Sequence, residues 1–200
     1  MALSRRSIVQ AALAILDEYG LGDLSMRRVA DALGVQAGAL YYHVPNKQSL
    51  LAAVSDEVLS PLVAGRPELA EPGPRPEEGP AASLTAWAYA LRAALLGHRD
   101  AAELVASSHA LGLGSVDPTA VGRDLLEAAG HPEPEATMAA LLHFVLGHVV
   151  EEQTRAQMQA LGVVEHFDQA LAEHHFAVGV DTFVRGVSGM EGLVATGPVS

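Results

Sequence analysis

Hydrophobic residues recur at every third or fourth position along most of the chain, which is the spacing of one face of an α-helix. In the first third of the chain this pattern predicts four helices, over about 4–19, 26–33, 36–43 and 47–63. Gly20, Gly34 and Pro45 supply the ends of the first three helices. Ser25 and Asn46 precede the second and fourth as candidate N-caps.

A change of pattern separates these helices from the rest of the chain. Residues 64–82 contain five prolines and three glycines without hydrophobic periodicity, so we expect residues 64–83 to form a loop. From Leu84 the helical pattern returns and predicts five more helices, over about 84–97, 99–109, 118–130, 134–161 and 166–187. We expect the last residues, 189–200, to form a flexible tail.

The composition supports an all-α fold. Half of the residues are hydrophobic but only 4% are aromatic, so the core must consist mainly of Ala, Leu and Val. Ala and Leu are the best helix formers. The predicted organisation is a three-helix N-terminal domain over residues 1–46, a connecting helix over 47–63 and a larger helical domain over 84–188.

Composition also excludes several classes of protein. The chain has no cysteine, which excludes disulfides and thiolate metal sites. No run of eighteen apolar residues is present, so we expect no membrane-spanning segment. We therefore expect a cytoplasmic protein with no membrane partner.

The formal net charge of −12 is spread unevenly along the chain. The first fifty residues hold five basic and four acidic side chains, a net of +1, so the remainder carries −13. Phosphate would repel that remainder but can be approached by the N-terminal fifty residues. The asymmetry predicts a DNA-facing module attached to a body that stays away from DNA.

Residues 24–47 are the most informative segment of the chain. They predict a short helix, a glycine turn, a second short helix and the capped start of a third, with Leu40 turned inward. This is a helix-turn-helix, which places one helix in the major groove of DNA. The outward residues of that helix are small or hydrogen-bonding, and Arg27 can pair bidentately with a guanine. One alternative stays open, because Tyr41 or Tyr42 can instead pack against the first helix.

The segment LSMRRVADALGVQAGALYYHVPNK, residues 24–47, resembles the DNA-binding domain of the tetracycline-repressor (TetR) family of bacterial transcription regulators. Three later segments, ALLGHRDAAELV (94–105), HFVLGHVVEEQ (143–153) and FAVGVDTFVRGV (176–187), resemble the ligand-binding body of the tetracycline repressors. The resemblance implies an all-α homodimer. Its N-terminal domains read a palindromic double-stranded DNA operator, and its bodies bind a small-molecule effector.

Carried over position by position, the resemblance implies a set of DNA contacts. These are Arg27, Gln36, Ala37, Gly38, Ala39, Tyr41, Tyr42, His43 and Lys47. The tetracycline repressors have a glutamine where this chain has Ala37 and a tryptophan where it has Tyr42. The operator is therefore expected to differ from the tetracycline operator.

The implied ligand pocket departs further from that of the tetracycline repressors. Val63 and Trp87 stand where a drug-binding histidine and an asparagine are expected, and Leu91 replaces a phenylalanine. Val105 replaces the histidine that coordinates the metal, so we expect neither a magnesium site nor any other cofactor. These replacements predict a largely apolar or aromatic effector.

Polar residues complete the predicted pocket. The resemblance adds Ser108, beside the position of the metal, and Glu151, which matches an acidic residue contributed by the partner subunit. From the sequence itself we add His109 and His148 as groups that orient the ligand, although each can be an ordinary helix histidine.

Other interpretations are weaker. His148, Glu151 and Glu152 share one helical face, but we favour an exposed polar stripe or a dimer-interface pair over a zinc site because no second cluster matches them. No catalytic signature is present, so an enzyme is remote. The main alternative is a DNA-binding protein whose helical body only dimerises, without a ligand.

The two last predicted helices carry long apolar stripes that we expect to form the dimer interface, as a four-helix bundle of two helices from each subunit. The stripes consist of Met138, Leu141, Leu142, Val145 and Val149 on one helix, and Phe176, Val180, Phe183 and Val184 on the other.

Overall fold

The computed structural model describes residues 3–63 and 80–190, and every regular element in these residues is helical. The nine α-helices of this part of the chain are α1 (Arg5–Tyr19), α2 (Met26–Leu33), α3 (Ala37–Leu40), α4 (Lys47–Val63), α5 (Pro80–Leu96), α6 (Ala101–Ala110), α7 (Ala120–Ala128), α8 (Pro134–Ala160) and α9 (Gln169–Met190). Among them, none combines the length and the apolar character that crossing a membrane requires.

The chain divides into two compact units. The first comprises the N-terminal residues through Pro61 together with Ala94–Asp117, and the second comprises the described parts of Leu62–Ala93 and Pro118–Ser200. Residues 84–188 were predicted to form one domain, whereas the structure groups residues 94–117 with the N-terminal helices. The reason is that Leu104 of α6 is buried in the core of the first unit.

The core of the first unit joins α1, α2, α3 and α4. Ile8, Leu16, Val29, Leu40 and Leu50 are fully buried there. Leu40 therefore points inward, as predicted.

Capping side chains begin three of these helices. Ser4 and Ser7 form a reciprocal capping box at α1. Ser25 Oγ accepts a hydrogen bond from the backbone N–H of Arg28 at 3.2 Å, and Asn46 Oδ1 accepts one from Ser49 at 2.8 Å. The caps predicted at Ser25 and Asn46 are thus confirmed.

Aspartate side chains connect α6 and its flanking turns to other parts of the first unit through hydrogen bonds. Asp100 Oδ2 accepts a hydrogen bond from the Leu21 N–H at 2.8 Å. Gly20, with φ at +86°, makes this approach possible, because a Cβ at that position would lie 2.7 Å from the same oxygen. At the other end of α6, Asp56 of α4 accepts hydrogen bonds from the backbone N–H groups of Ser115 and Val116.

The core of the second unit contains the apolar residues that the sequence analysis assigned to a dimer interface. Met138, Leu141, Leu142, Val145, Val149, Phe176 and Val180 are all at most 1% exposed within a single chain. The assignment of these residues to a surface between two subunits is therefore wrong. Helical periodicity shows that a face is buried, but it does not show which chain buries it.

Several helix boundaries differ from the predicted ones. Helix α3 ends at Leu40, because Tyr41–His43 form a turn in which the His43 and Val44 N–H groups both donate to the Leu40 carbonyl. Helix α5 begins at Pro80, inside the predicted loop 64–83, since proline is tolerated in the first turn of a helix. Helix α9 begins at Gln169 rather than 166, after Asp168, whose Oδ1 accepts from the Leu171 N–H at 2.9 Å.

The other differences are smaller. Helices α6 and α7 are shorter than predicted, and α9 continues to Met190 instead of ending near residue 187. The rest of the predicted loop, residues 64–79, and most of the predicted tail, residues 191–200, lie outside the described residues.

Candidate DNA-binding and ligand-binding sites

The outward side of α3 and the turn after it form a slim, polar surface. Gln36, Gly38 and Ala39 are exposed, and Ala37 is half-buried against the core. Tyr41 is 50% exposed and Tyr42 is 90% exposed, so neither ring is buried in the interior. Small side chains let a helix approach base edges closely, and the tyrosines add hydrogen-bonding groups beside it.

The two arginines at the start of α2 have different surroundings. Arg28 pairs with Asp23, and its guanidinium lies over the ring of Tyr19 at 3.8 Å from the centroid. Arg27 has a 90% exposed side chain, and its Nε is 4.0 Å from Asp31 in a loose pair. Because Arg28 is already held within the unit, Arg27 is the arginine of α2 that is available to an outside partner.

The N-terminus of α4 adds positive charge on the same unit. Lys47 is the first residue of the helix and is exposed, and it follows the capping residue Asn46. Unpaired backbone N–H groups at a helix N-terminus attract anions such as a DNA phosphate. The ring of His43, which is half-buried, contacts that of Tyr42 edge-on at 5.3 Å.

The predicted ligand residues are divided between the two units. Val105 and Ser108 of α6 are buried in the first unit, at 0% and 3% exposure, while His109 on the same helix is exposed. Trp87, Leu91, His148 and Glu151 belong to the second unit. Val63, also predicted, ends α4, and its side chain lies outside the described residues.

Trp87 and Leu91 are part of the apolar interior of the second unit. Leu91 is fully buried, and Trp87 is 8% exposed. The indole Nε1–H of Trp87 donates a hydrogen bond to the Pro118 carbonyl at 2.8 Å. The polar edge of the ring is therefore satisfied internally, which leaves its apolar surface as the part that can contact a ligand.

A cavity of about 340 Å³ lies between α8 and the start of α9. We call it the α8–α9 cavity. Its α8 wall consists of His148, Glu151, Glu152 and Arg155. The facing wall includes His166, Phe167, Asp168, Leu171 and His175. Two of the predicted ligand residues, His148 and Glu151, are thus in one cavity.

A buried ion pair lies behind this cavity. Both oxygens of Glu152 accept hydrogen bonds from Arg92 of α5, at 2.7 and 3.1 Å, and both side chains are nearly inaccessible to solvent. The Arg92 guanidinium also lies 5.1 Å from the centroid of the Phe176 ring. The prediction of an exposed polar stripe is wrong for Glu152, because its hydrogen bonds with Arg92 keep it in the interior.

His148 stands next to that pair. Burial lowers the pKa of His148 below its ordinary value, against the opposing effect of Glu152, so the imidazole is neutral at pH 7. Its Nε2 is buried without a hydrogen-bond partner, 3.8 Å from the nearer Glu152 oxygen. Within the described ranges, no group of three or more His, Asp or Glu side chains is arranged to hold a metal ion.

Most of the cavity was not predicted from the sequence. The residues not predicted include Arg155, His166, Phe167 and Asp168 of its walls, and Arg92, which lies behind it. Only Asp168 carried a usable signal, as an acid immediately before a helical pattern, which is typical of an N-cap. The Arg92–Glu152 pair joins residues sixty positions apart, and no local pattern reports such a contact.

Two family models match the chain. The model described as "Bacterial regulatory proteins, tetR family" matches residues 8–54. The model described as "Tetracyclin repressor-like, C-terminal domain" matches residues 73–188. Among curated relatives, the tetracycline repressor protein class C of Escherichia coli is 33% identical over 153 residues, which cover 76% of this chain and 67% of the repressor.

Solved structures are similar over nearly the whole chain. BioQ of Mycobacterium smegmatis has a TM-score of 0.80 and 34% identity, covering 94% of this chain and 99% of its own. BioQ has also been solved with its double-stranded DNA operator, with a TM-score of 0.75. ActR of Streptomyces coelicolor, in complex with (S)-DNPA, has a TM-score of 0.69 and 26% identity, with 94% and 99% coverage.

Two arginine–glutamate pairs involve α8, Arg92–Glu152 and Arg155–Glu151. They are expected to differ strongly in their contribution to the free energy of unfolding. Arg92→Met strands the buried Glu152 charge and should lower the free energy of unfolding by about 3–5 kcal/mol. Arg155→Met removes the pair with Glu151, whose side chains are both about two-thirds exposed, and should cost less than about 1 kcal/mol. Urea unfolding of both variants measures the difference, and equal effects would contradict the structural role given to Arg92.

Proposed function

This chain belongs to the tetR family of bacterial regulatory proteins, and on that premise we propose that it is a ligand-responsive transcriptional repressor. It binds a palindromic operator as a homodimer and leaves the DNA when an effector binds. The observation that carries this proposal is the exposed outer side of α3 on a helix-turn-helix that also carries Arg27, whose side chain is 90% exposed and only loosely paired with Asp31.

The DNA-facing surface is expected to make two kinds of contact, one with base edges and one with the sugar-phosphate backbone. Arg27 and Gln36 supply hydrogen bonds that distinguish base pairs, because Ala37, Gly38 and Ala39 have no side-chain donors. Lys47, together with Tyr41, Tyr42 and His43, positions the unit on the sugar-phosphate backbone without reading the sequence.

The dimer interface is proposed to include the apolar side chains of α9, and of the turn after α8, that are exposed in a single chain. Leu171 and Val178 of α9 are about half exposed, and they lie seven residues apart on one side of the helix. Leu161 and Val163, in the turn that follows α8, are more than two-thirds exposed. A two-fold axis beside these residues would bury them in an isologous interface.

The effector is proposed to be largely apolar or aromatic. Trp87, Leu91 and Val105 are buried apolar residues, and the indole N–H is already bonded to Pro118. Val105 and Trp87 offer no ligand to a hard metal ion such as magnesium. Binding is therefore expected to be independent of magnesium.

Release of DNA requires a state in which the two DNA-reading units no longer fit half-sites about 34–36 Å apart. An effector can populate that state only by binding it more tightly than the DNA-bound state. Helix α4 is the proposed transmitter, because it is continuous from the phosphate-facing Lys47 to Val63, one of the proposed pocket residues.

Substitutions of Arg27 and Lys47 should have different signatures in operator binding. Arg27→Ala should weaken binding to the cognate site by about 1–3 kcal/mol and relax the preference at one base pair. Lys47→Ala should weaken binding to all sequences alike and reduce the salt dependence. Fluorescence anisotropy with the operator and with single-base variants measures both effects, and a uniform loss for both substitutions would contradict base readout by Arg27.

Trp87 is the only tryptophan of the chain and should report the effector directly. Titration with apolar and aromatic compounds should find one that changes the fluorescence and releases the operator. Its affinity should be the same within about twofold with magnesium or with EDTA, because no metal takes part. A response to tetracycline that requires magnesium would overturn this account of the pocket, and unchanged induction in Trp87→Ala would remove Trp87 from it.

A further inference from the structure

Each of the two arginines of α2 is accompanied by an aspartate. Asp23 pairs with Arg28, and Asp31, which follows Arg27 by about one helical turn, has its Oδ2 atom 4.0 Å from the Arg27 Nε. All four side chains line one concave surface of the first unit. Because Arg28 is also held over the Tyr19 ring, the pair that concerns base reading is Arg27 with Asp31.

The position of Asp31 is unfavourable for DNA binding in general. Its side chain is 72% exposed, and it lies on the same side of α2 as Arg27, since residues four apart on a helix are neighbours. A carboxylate on a surface that approaches DNA is repelled by the phosphates of every sequence. Asp31 can therefore favour one sequence over another only through a neighbour that reads bases, and Arg27 is the neighbour proposed to do so.

The contact leaves the outer end of the guanidinium available. At 4.0 Å the approach to Nε is a contact between charges rather than a hydrogen bond, and the side chain of Arg27 is 90% exposed. An arginine can bind guanine O6 and N7 bidentately through its two terminal nitrogens. Asp31 can then stay beside Nε while the guanine is bound, so that the guanidinium has both partners at once.

Other bases do not allow this arrangement. Adenine and cytosine present an amino donor in the major groove, and thymine presents a single acceptor beside a methyl group. Arg27 then finds no bidentate partner on the DNA, while Asp31 still approaches the phosphates. The charges act more strongly as the two surfaces exclude water, so the repulsion is no longer offset when the base is wrong.

We propose that Asp31 is a specificity-determining residue of the DNA-facing surface, which acts by positioning Arg27. It attracts the guanidinium at its Nε side, leaves the terminal nitrogens for a guanine and penalises every other base at that position. Affinity for DNA as a whole decreases, while the difference between cognate and non-cognate sequences increases. This inference rests on the proposed function, because it requires that Arg27 reads a base pair.

Asp31→Asn tests the proposal, since it removes the charge with little change in size at an exposed position. Fluorescence anisotropy measures binding to the operator selected from random duplex DNA and to its single-base variants. We expect tighter binding to all duplexes, with a larger gain for those altered at the Arg27 base pair, so that discrimination there falls at least about threefold. Glu57→Gln, the same charge change at an exposed position of α4, should leave the discrimination unchanged.

The Arg27→Ala background separates positioning from a simple charge effect. In that background Asp31→Asn should tighten binding to all duplexes by the same factor, because no arginine is left to position. Unchanged discrimination in Asp31→Asn alone, or an equal loss of discrimination in both backgrounds, would overturn the proposal.

The same data separate this inference from the proposed function. If Arg27→Ala leaves every base preference intact, base readout by Arg27 is wrong and the inference fails with it. If Arg27→Ala relaxes a preference that Asp31→Asn preserves, only the inference about Asp31 is wrong.

Discussion

The burial of Leu40 is the constraint on which the DNA-facing surface depends. Helix α3 has only four residues and is too short to be stable by itself. It is held because Leu40 and Val44 are buried in the core that α1, α2 and α4 share. With its inner side fixed, Gln36 and Tyr42 must face outward.

The second unit depends on a different kind of contact. Its core is mainly apolar, but within it Arg92 of α5 meets Glu152 of α8, with the Phe176 ring of α9 beside the guanidinium. A buried pair of this kind tolerates few alternative arrangements, because either charge alone would be costly. It also places a carboxylate and a neutral imidazole at the buried side of the α8–α9 cavity, so the packing of the helices and the chemistry of the cavity have the same origin.

Local signals in the sequence predicted local structure well. The all-α class, the helix-turn-helix, the caps at Ser25 and Asn46 and the inward Leu40 were all predictable, since each depends on residues within one or two turns. Long-range contacts were not predictable in this way. Arg92 and Glu152 are sixty residues apart, and the apolar stripes of α8 and α9 proved to be buried within one chain. The assignments of individual residues to DNA and ligand contact stay predictions.

Selection of bound sequences from a pool of random duplex DNA, with the purified full chain, tests the central claim most directly. The account predicts enrichment of an inverted repeat whose half-sites are centred about 34–36 Å apart, or a multiple of that distance, because two equivalent units read the DNA. It also predicts that the enrichment disappears when an effector is added. Enrichment of a single unrepeated motif, or no enrichment at all, would contradict the proposed dimeric operator-binding repressor.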